Sequence, residues 1–349
     1  MNEAFYSALI RQGETNFAGH AASLMLERDA ALEERFAPGA HGRWQDNQIQ
    51  RLRELAAALD AQAPTVFGAQ TRWNAHAFQV RGLRPDDLAV ALDALEEILR
   101  DSLPAKPAEI LEPYFGAARD ALGAGAAPIR SALDPDNDEH RPVLKYMSLA
   151  LEGRQDDAME FVEEIAAERG PERAYVEILI PAQREIGRMW FLDEASVADE
   201  HVVTQTTARA SALLARQMEK QDPTGKTIIV AAVETNAHDL GARFVADFFR
   251  TRGWRTVFLG ADTPADAVAE AVVSHNADVV ALSASIVTQL NRVALTISAL
   301  RSSERSDVKV IVGGPGFTDA PEAWNVFGAD GYALTPQDAV DQANGLTSA

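Results

Sequence analysis

From Lys226 onward the chain alternates short, unbroken apolar runs with amphipathic segments, and few folds tolerate that pattern. The runs are TIIVAAV (227–233), TVFLG (256–260), VVALS (279–283) and VKVIVGG (308–314), with a weaker one near GYAL (331–334). A strand with one wet face alternates apolar and polar residues. A strand that is apolar throughout needs cover on both faces. Between the runs lie segments of helical period, such as the stripe of Leu240, Phe244 and Phe248. Strand and helix in alternation build a parallel sheet with helices on both sides. Residues 225–349 therefore read as a doubly wound, Rossmann-like domain with the flavodoxin-like strand order 2-1-3-4-5.

The rest of the chain is helical in pattern, which makes the whole a multi-domain α and α/β protein. At 349 residues it is long enough for two or three cores. Residues 140–221 divide into helices at 141–152, 155–169, 171–190 and 197–221, separated by Gly153, by Gly170-Pro171 and by a turn over 192–196. Short connections between helices of this length favour an antiparallel four-helix bundle. Ser196 suits the N-cap of the last helix, with Asp199 as its partner three residues on. Residues 1–130 form a further helical domain, with Leu88, Leu92, Leu95 and Leu99 on one stripe and breaks at 38–42, Gly82 and 103–107. The GAGAAP and DPDNDEH segments mark a linker over 123–140.

Composition removes several functions. With no cysteine there are no disulfides, thiolate metal sites or thioether-linked chromophores. The net charge of −20 opposes binding to a phosphate backbone, so no nucleic-acid partner is expected. No apolar stretch is long enough to span a bilayer, so no membrane partner is expected either. The first residues lack the plan of a signal peptide, and the expected location is cytoplasmic.

The loops after the strands carry the chemistry. The first strand leads into Glu234-Thr235-Asn236-Ala237-His238-Asp239-Leu240-Gly241. Ser283-Ala284-Ser285 follows after forty-one residues, and Gly313-Gly314 after a further twenty-seven. A histidine in this loop sits at the carboxyl edge of the sheet, beside the crevice where ligands of such folds dock. The pattern resembles the D-x-H-x-x-G, S-x-L, G-G signature of cobalamin-binding domains. The resemblance implies that His238 is the lower axial ligand to cobalt. Gly241, Gly313 and Gly314 would leave room for the corrin and its tail. Asn236, Asp239, Ser283 and Ser285 would surround the ligand. The family's usual acid is replaced by Asn236, whose amide oxygen could accept the imidazole N–H as a neutral partner.

The bundle carries a second pattern, Trp190 followed after nine residues by Glu200-His201. It resembles the cap of CarH-type adenosylcobalamin photoreceptors. The resemblance implies that Trp190, Glu200 and His201 cover the adenosyl group of adenosylcobalamin. Phe191 stands where some of that family have a second cobalt-capturing histidine. The helices of residues 1–130 replace a DNA-binding domain, an architecture similar to that of photocobilins, which add a bilin. Arg51, Arg72, Trp73, His76 and Arg81 are the candidate bilin residues, as arginines suit propionates and aromatics suit pyrroles. With no cysteine, biliverdin would be held without a covalent bond. A helical interaction domain, or a globin-like haem site on His20, His41 or His76, are other readings of this region.

The resulting expectation is a light sensor rather than an enzyme. Breakage of the cobalt–carbon bond by light would rearrange domains or a homo-oligomer and so signal to an effector. The alternative is a corrinoid carrier in cobalamin-dependent methyl transfer, which shares the bundle, the sheet and the H-x-x-G loop.

Overall fold

A computed structural model describes residues 2–125 and 129–348. Residues 126–128, part of the expected linker, lie outside the described residues. The chain begins with six helices, α1 (Glu3–Arg28), α2 (Ala30–Arg35), α3 (Ala40–Asp60), α4 (Pro64–Val80), α5 (Pro85–Ser102) and α6 (Pro107–Gly123). Prolines open α4, α5 and α6, where a missing N–H leaves no bond unmade.

The helical cap comprises α7 (Arg141–Leu151), α8 (Gln155–Arg169), α9 (Pro171–Ala174), α10 (Ile180–Phe191) and α11 (Val197–Gln217). A π-helical turn, Tyr175–Leu179, joins α9 to α10 where the sequence pattern predicts one continuous helix. Such turns widen a helix locally at the expense of regular hydrogen bonding. Ser196 and Asp199 form the expected reciprocal cap at the start of α11.

The remainder is the five-stranded parallel sheet, in the order β2-β1-β3-β4-β5 predicted from the apolar runs. The strands are β1 (Thr227–Val233), β2 (Arg255–Thr263), β3 (Val279–Ser283), β4 (Lys309–Gly313) and β5 (Gly331–Ala333). They alternate with α12 (Leu240–Thr251), α13 (Ala265–His275), α14 (Leu290–Arg301), the short α15 (Ala323–Val326) and α16 (Pro336–Thr347).

Every residue of β1 is buried, which explains its lack of polar positions. Ile229, Ala231 and Val233 face the side covered by α13 and α14, and the same apolar cluster continues into Leu52 and Leu55 of α3. Ile228 and Val230 face the side covered by α12 and α16, in a cluster that continues into the cap through Tyr175, Ile178 and Leu214. Among the described residues no helix is long and apolar enough to cross a membrane.

Polar contacts fix the cap to the sheet domain. Glu172 receives both guanidinium ends of Arg252, one at 2.9 Å, and this pairing holds the Glu172 carboxyl below its usual range. The buried Tyr175 hydroxyl lies 2.6 Å from the Ser211 carbonyl and 3.0 Å from the Asp247 carboxyl. One hydroxyl proton cannot serve two acceptors. Burial raises the Asp247 carboxyl above its usual range, and its protonated form would donate to the Tyr175 oxygen.

Two outcomes follow for stability. Tyr175→Phe should cost about 1–3 kcal/mol, read as a lowered urea midpoint, because it removes the partner of a buried carboxyl. A raised carboxyl contributes fully below its unfolded value, and the contribution is lost as pH rises through its folded value. Stability should therefore fall over that window, and Asp247→Asn should flatten the slope.

Candidate functional site

The loop between β1 and α12 is held from several directions. Thr235 adopts a left-handed conformation at φ 67°, unusual for a β-branched residue. Its N–H donates to Asp262 Oδ1 at 2.6 Å, and its carbonyl accepts from Gln289 Nε2 at 3.1 Å. The Asn236 carbonyl accepts from the Asp262 N–H at 2.9 Å. Glu234 pairs with Arg292 at 2.9 Å. These bonds come from the ends of β2, from the turn before α14 and from α14 itself.

Asn236 is fully buried and uses both ends of its amide. Its Nδ2 donates to the Ser283 carbonyl at 3.0 Å, and its Oδ1 accepts the backbone N–H of His238 at 3.1 Å. The amide oxygen thus grips the histidine's backbone, where the sequence reading has it accepting from the imidazole. The His238 side chain is left exposed at the carboxyl edge of the sheet. A Cβ added to Gly241 would meet nothing within 4 Å, so the space at the start of α12 is open. Asp239 Oδ2 lies 3.3 Å from Arg243 Nη2.

Ser283 ends β3 directly opposite Gly313 of β4. Among the described residues, neither the Ser283 nor the Ser285 hydroxyl bonds to another protein group, while the Ser285 N–H donates to Gln289 Oε1 at 2.8 Å. The glycine pair permits close backbone packing. A Cβ on Gly313 would sit 2.7 Å from the Ala333 carbonyl oxygen, and one on Gly314, at φ 101°, 2.4 Å from that of Ala284. These glycines bring the strand ends together, a different duty from the expected clearance for a ligand tail.

The second group lies at the α10–α11 turn. Trp190 is 47% exposed at the end of α10. The Glu200 carboxylate contacts His201 Nδ1 through one oxygen and accepts from the Thr204 hydroxyl at 2.6 Å through the other. That hydroxyl also lies 3.0 Å from Gln183 Oε1, tying the start of α11 to α10.

The N-terminal candidates do not form one site. Arg51 is buried and pairs with Glu54 at 2.8 Å, a partner from its own helix. Arg72 and Arg81 are both exposed, the first near Asp319 and the second bonded to the Ala77 carbonyl at 3.2 Å. Trp73 packs edge-on against Phe191 of the cap at 4.7 Å. His76 Nδ1 is buried without a partner.

Among the described residues no cluster of three or more His, Asp or Glu could hold a bare metal ion. A single exposed imidazole beside open space instead suits a metal that arrives with its other donors in place. The sequence matches a B12 binding domain family over residues 226–341 and a second B12 binding domain family over residues 145–215. Dimethylamine corrinoid protein 3 of Methanosarcina mazei is 33% identical over 121 residues, 34% of this chain and 71% of the relative. The chain belongs to the corrinoid proteins. Its cofactor is a corrinoid. Dimethylamine corrinoid protein 3 of Methanosarcina acetivorans is 28% identical over 200 residues, 55% of this chain and 91% of the relative. The fold is shared with the Methanosarcina barkeri monomethylamine corrinoid protein, with a TM-score of 0.54 at 20% identity over 59% of this chain and 99% of that one.

These relatives correct the light-sensing expectation. They are corrinoid proteins of methylamine systems, so the resemblance to photocobilins and CarH-type photoreceptors does not identify this chain. Biliverdin, light-dependent assembly and a signalling effector fall with it. The geometry gives a physical reason for the bilin residues in particular. Arg51 pairs through one nitrogen with Glu54 of its own helix, while Arg72 lies on α4 and Arg81 just past its end, so the three arginines are spread over separate turns.

The two kinds of glycine should separate under substitution. Gly314→Ala should destabilise the protein by roughly 1–3 kcal/mol, since it combines a left-handed φ with backbone overlap. Gly241→Ala should leave the denaturation midpoint within about 0.5 kcal/mol of the parent or raise it.

Proposed function

We propose that this corrinoid protein is the carrier component of a methyltransferase system, presenting its cofactor to partner proteins that supply the reaction chemistry. The observation that carries the reading is the exposed His238 imidazole on a loop whose backbone is pinned by buried polar contacts. The names of the relatives, dimethylamine and trimethylamine corrinoid proteins, point to the same use. When bound, the corrinoid supplies a cobalt centre that can accept and release a methyl group.

In this reading His238 would hold the cobalt of the bound corrinoid. Asn236 fixes the histidine's backbone rather than its ring, so the imidazole keeps its freedom to tilt under the metal. The open space at Gly241 would leave room for the bound corrinoid, and the Ser283 and Ser285 hydroxyls would be available to its polar groups. Asp239 orients the start of α12 through Arg243, and Gly313 and Gly314 close the strand ends beside the tail. Trp190, Glu200 and His201 of the cap (140–221) would contact the bound corrinoid, with the sheet domain (225–349) supplying His238 and the helical domain (1–130) packed against both. A cytoplasmic location belongs to the same proposal and rests on the sequence alone. The half-exposed Trp190 indole favours a large upper group, and adenosylcobalamin is on that ground a second form to load and compare.

His238→Ala should shift the absorption spectrum of the cobalamin-loaded protein to that of a cobalt without imidazole and weaken retention at least about ten-fold. Gly241→Phe should weaken retention without changing the lower ligand. The decisive assay mixes the loaded protein with methylamine or methanol methyltransferase partners and follows methyl transfer to and from the corrinoid. A protein that retains its corrinoid but neither accepts nor yields a methyl group with any of them would overturn the carrier reading.

A further inference from the structure

The opposite edge of the sheet, where the parallel strands begin, holds a cleft of about 600 Å³. It is lined by Lys220, Lys226, Arg250, Arg255, His275 and Asp278, among others. Across the whole chain acids outnumber bases by 52 to 32, so a concavity with four cations and one carboxylate inverts the local charge.

The cations are also poorly matched by acids. Arg255 Nη2 reaches the Nδ1 of His275 at 3.4 Å, and neither it nor Lys220 pairs with a carboxylate among the described residues. Lys226 donates to the Thr347 hydroxyl at 2.7 Å and lies 5.6 Å from the Trp254 ring. Arg250 alone has an acid, Asp247, at 2.6 Å. The Asp278 carboxylate is committed through Oδ2 to the Thr227 N–H at 2.7 Å. Arg305, outside the lining, donates to Asn276 and to the Ala277 carbonyl and is paired with Asp307 at 3.3 Å.

The walls of the cleft come from two parts of the chain. Lys220 and Lys226 belong to the connection between α11 and β1, while Arg255 and His275 belong to the sheet and to α13. That connection is tied to the sheet domain mainly at its far end, where the Lys226 carbonyl accepts from the Arg255 N–H at 2.9 Å. The Gln221 N–H donates to the Thr251 carbonyl at 2.8 Å, and the Thr224 N–H to that of Gly253 at 2.9 Å.

We propose that this cleft binds the phosphate or diphosphate group of a small molecule, which would bridge the connection to the sheet and so brace the cap against the sheet domain. Phosphate oxygens supply the anionic partner that Arg255, Lys220 and Lys226 do not have among the described residues. The volume falls within the range of small-molecule pockets, roughly 300–1,000 Å³. The site is separate from the corrinoid edge, because a seven-residue strand places its two ends about 20 Å apart. Binding here and corrinoid binding can therefore be tested independently.

Inorganic pyrophosphate is the probe, titrated calorimetrically into the full-length, corrinoid-loaded protein, with sodium chloride of equal ionic strength as the reference. Saturable binding is expected, at least ten-fold weaker in the double variant Lys226→Gln, Arg255→Gln, whose corrinoid spectrum should be unchanged. Pyrophosphate should also slow protease cleavage within 219–226 in the parent and leave the double variant unaffected. No saturable heat beyond the chloride reference, equal affinity in the double variant, or saturation by an acidic peptide in place of pyrophosphate would overturn the proposal.

Discussion

The dry burial of β1 on both faces sets where everything else can go. A strand sealed from water at all seven positions can expose nothing along its length, so its only chemically useful position is the point where it ends. Residues facing one side share a core with α13, α14 and the N-terminal helices, and those facing the other share one with α12, α16 and the cap. Three parts of the chain are thereby fixed around a single strand. The loop at its carboxyl end inherits a rigid base.

That rigidity is passed to His238 through backbone polar groups. A β-branched residue at positive φ costs of order 1–3 kcal/mol and persists only where its surroundings determine it. At Thr235 the surroundings are explicit. Asp262 takes its N–H, Gln289 its carbonyl, and Asn236 turns the chain back onto its own amide. The loop is ordered although the imidazole touches little. An exposed side chain on an ordered backbone keeps much of its geometry before anything binds it, which lowers the cost of binding.

Legibility in the sequence followed the range of the forces involved. Strand order and the Ser196–Asp199 cap depend on local pattern and are visible as apolar runs and as spacing. The π turn at 175–179 was invisible, because it reconciles the helix with Asp247 and Ser211, which approach only in three dimensions. Asp262, Gln289 and Arg292 hold the histidine loop but stand 23 or more positions from it, and no period links them. A motif position can likewise be read while its bond is not. Asn236 was singled out, yet its oxygen serves the backbone, and that choice depends on Ser283 capturing the amide nitrogen. The arginines of α3 and α4 failed for the opposite reason. Their composition suited an acidic ligand, but helix phase and the nearby Glu54 decide where a guanidinium ends, and composition carries neither.

The N-terminal helices bear on how partners could reach the carboxyl edge. They touch both parts that border it. Trp73 packs on Phe191, beside the exposed Trp190, and Gln70 donates to Asp319 just beyond β4 at 3.4 Å. Burial raises the Asp319 carboxyl, while Arg72 and Gln70 draw it back down. Meanwhile α3 shares its apolar cluster with the turn at Val287 and with Leu290 of α14, close to the residues that pin the histidine loop. Under the proposed carrier role the cofactor must be open to proteins of domain size, and a third body resting on both walls would narrow the approach. The polar and aromatic contacts of α4 with the other two parts include the Trp73–Phe191 pair, the Gln70–Asp319 hydrogen bond and the charge of Arg72 near Asp319. The α3 seam is apolar and continuous. Because α3 and α4 also share that core, the N-terminal helices bear on the cap and on the sheet domain as one packed unit.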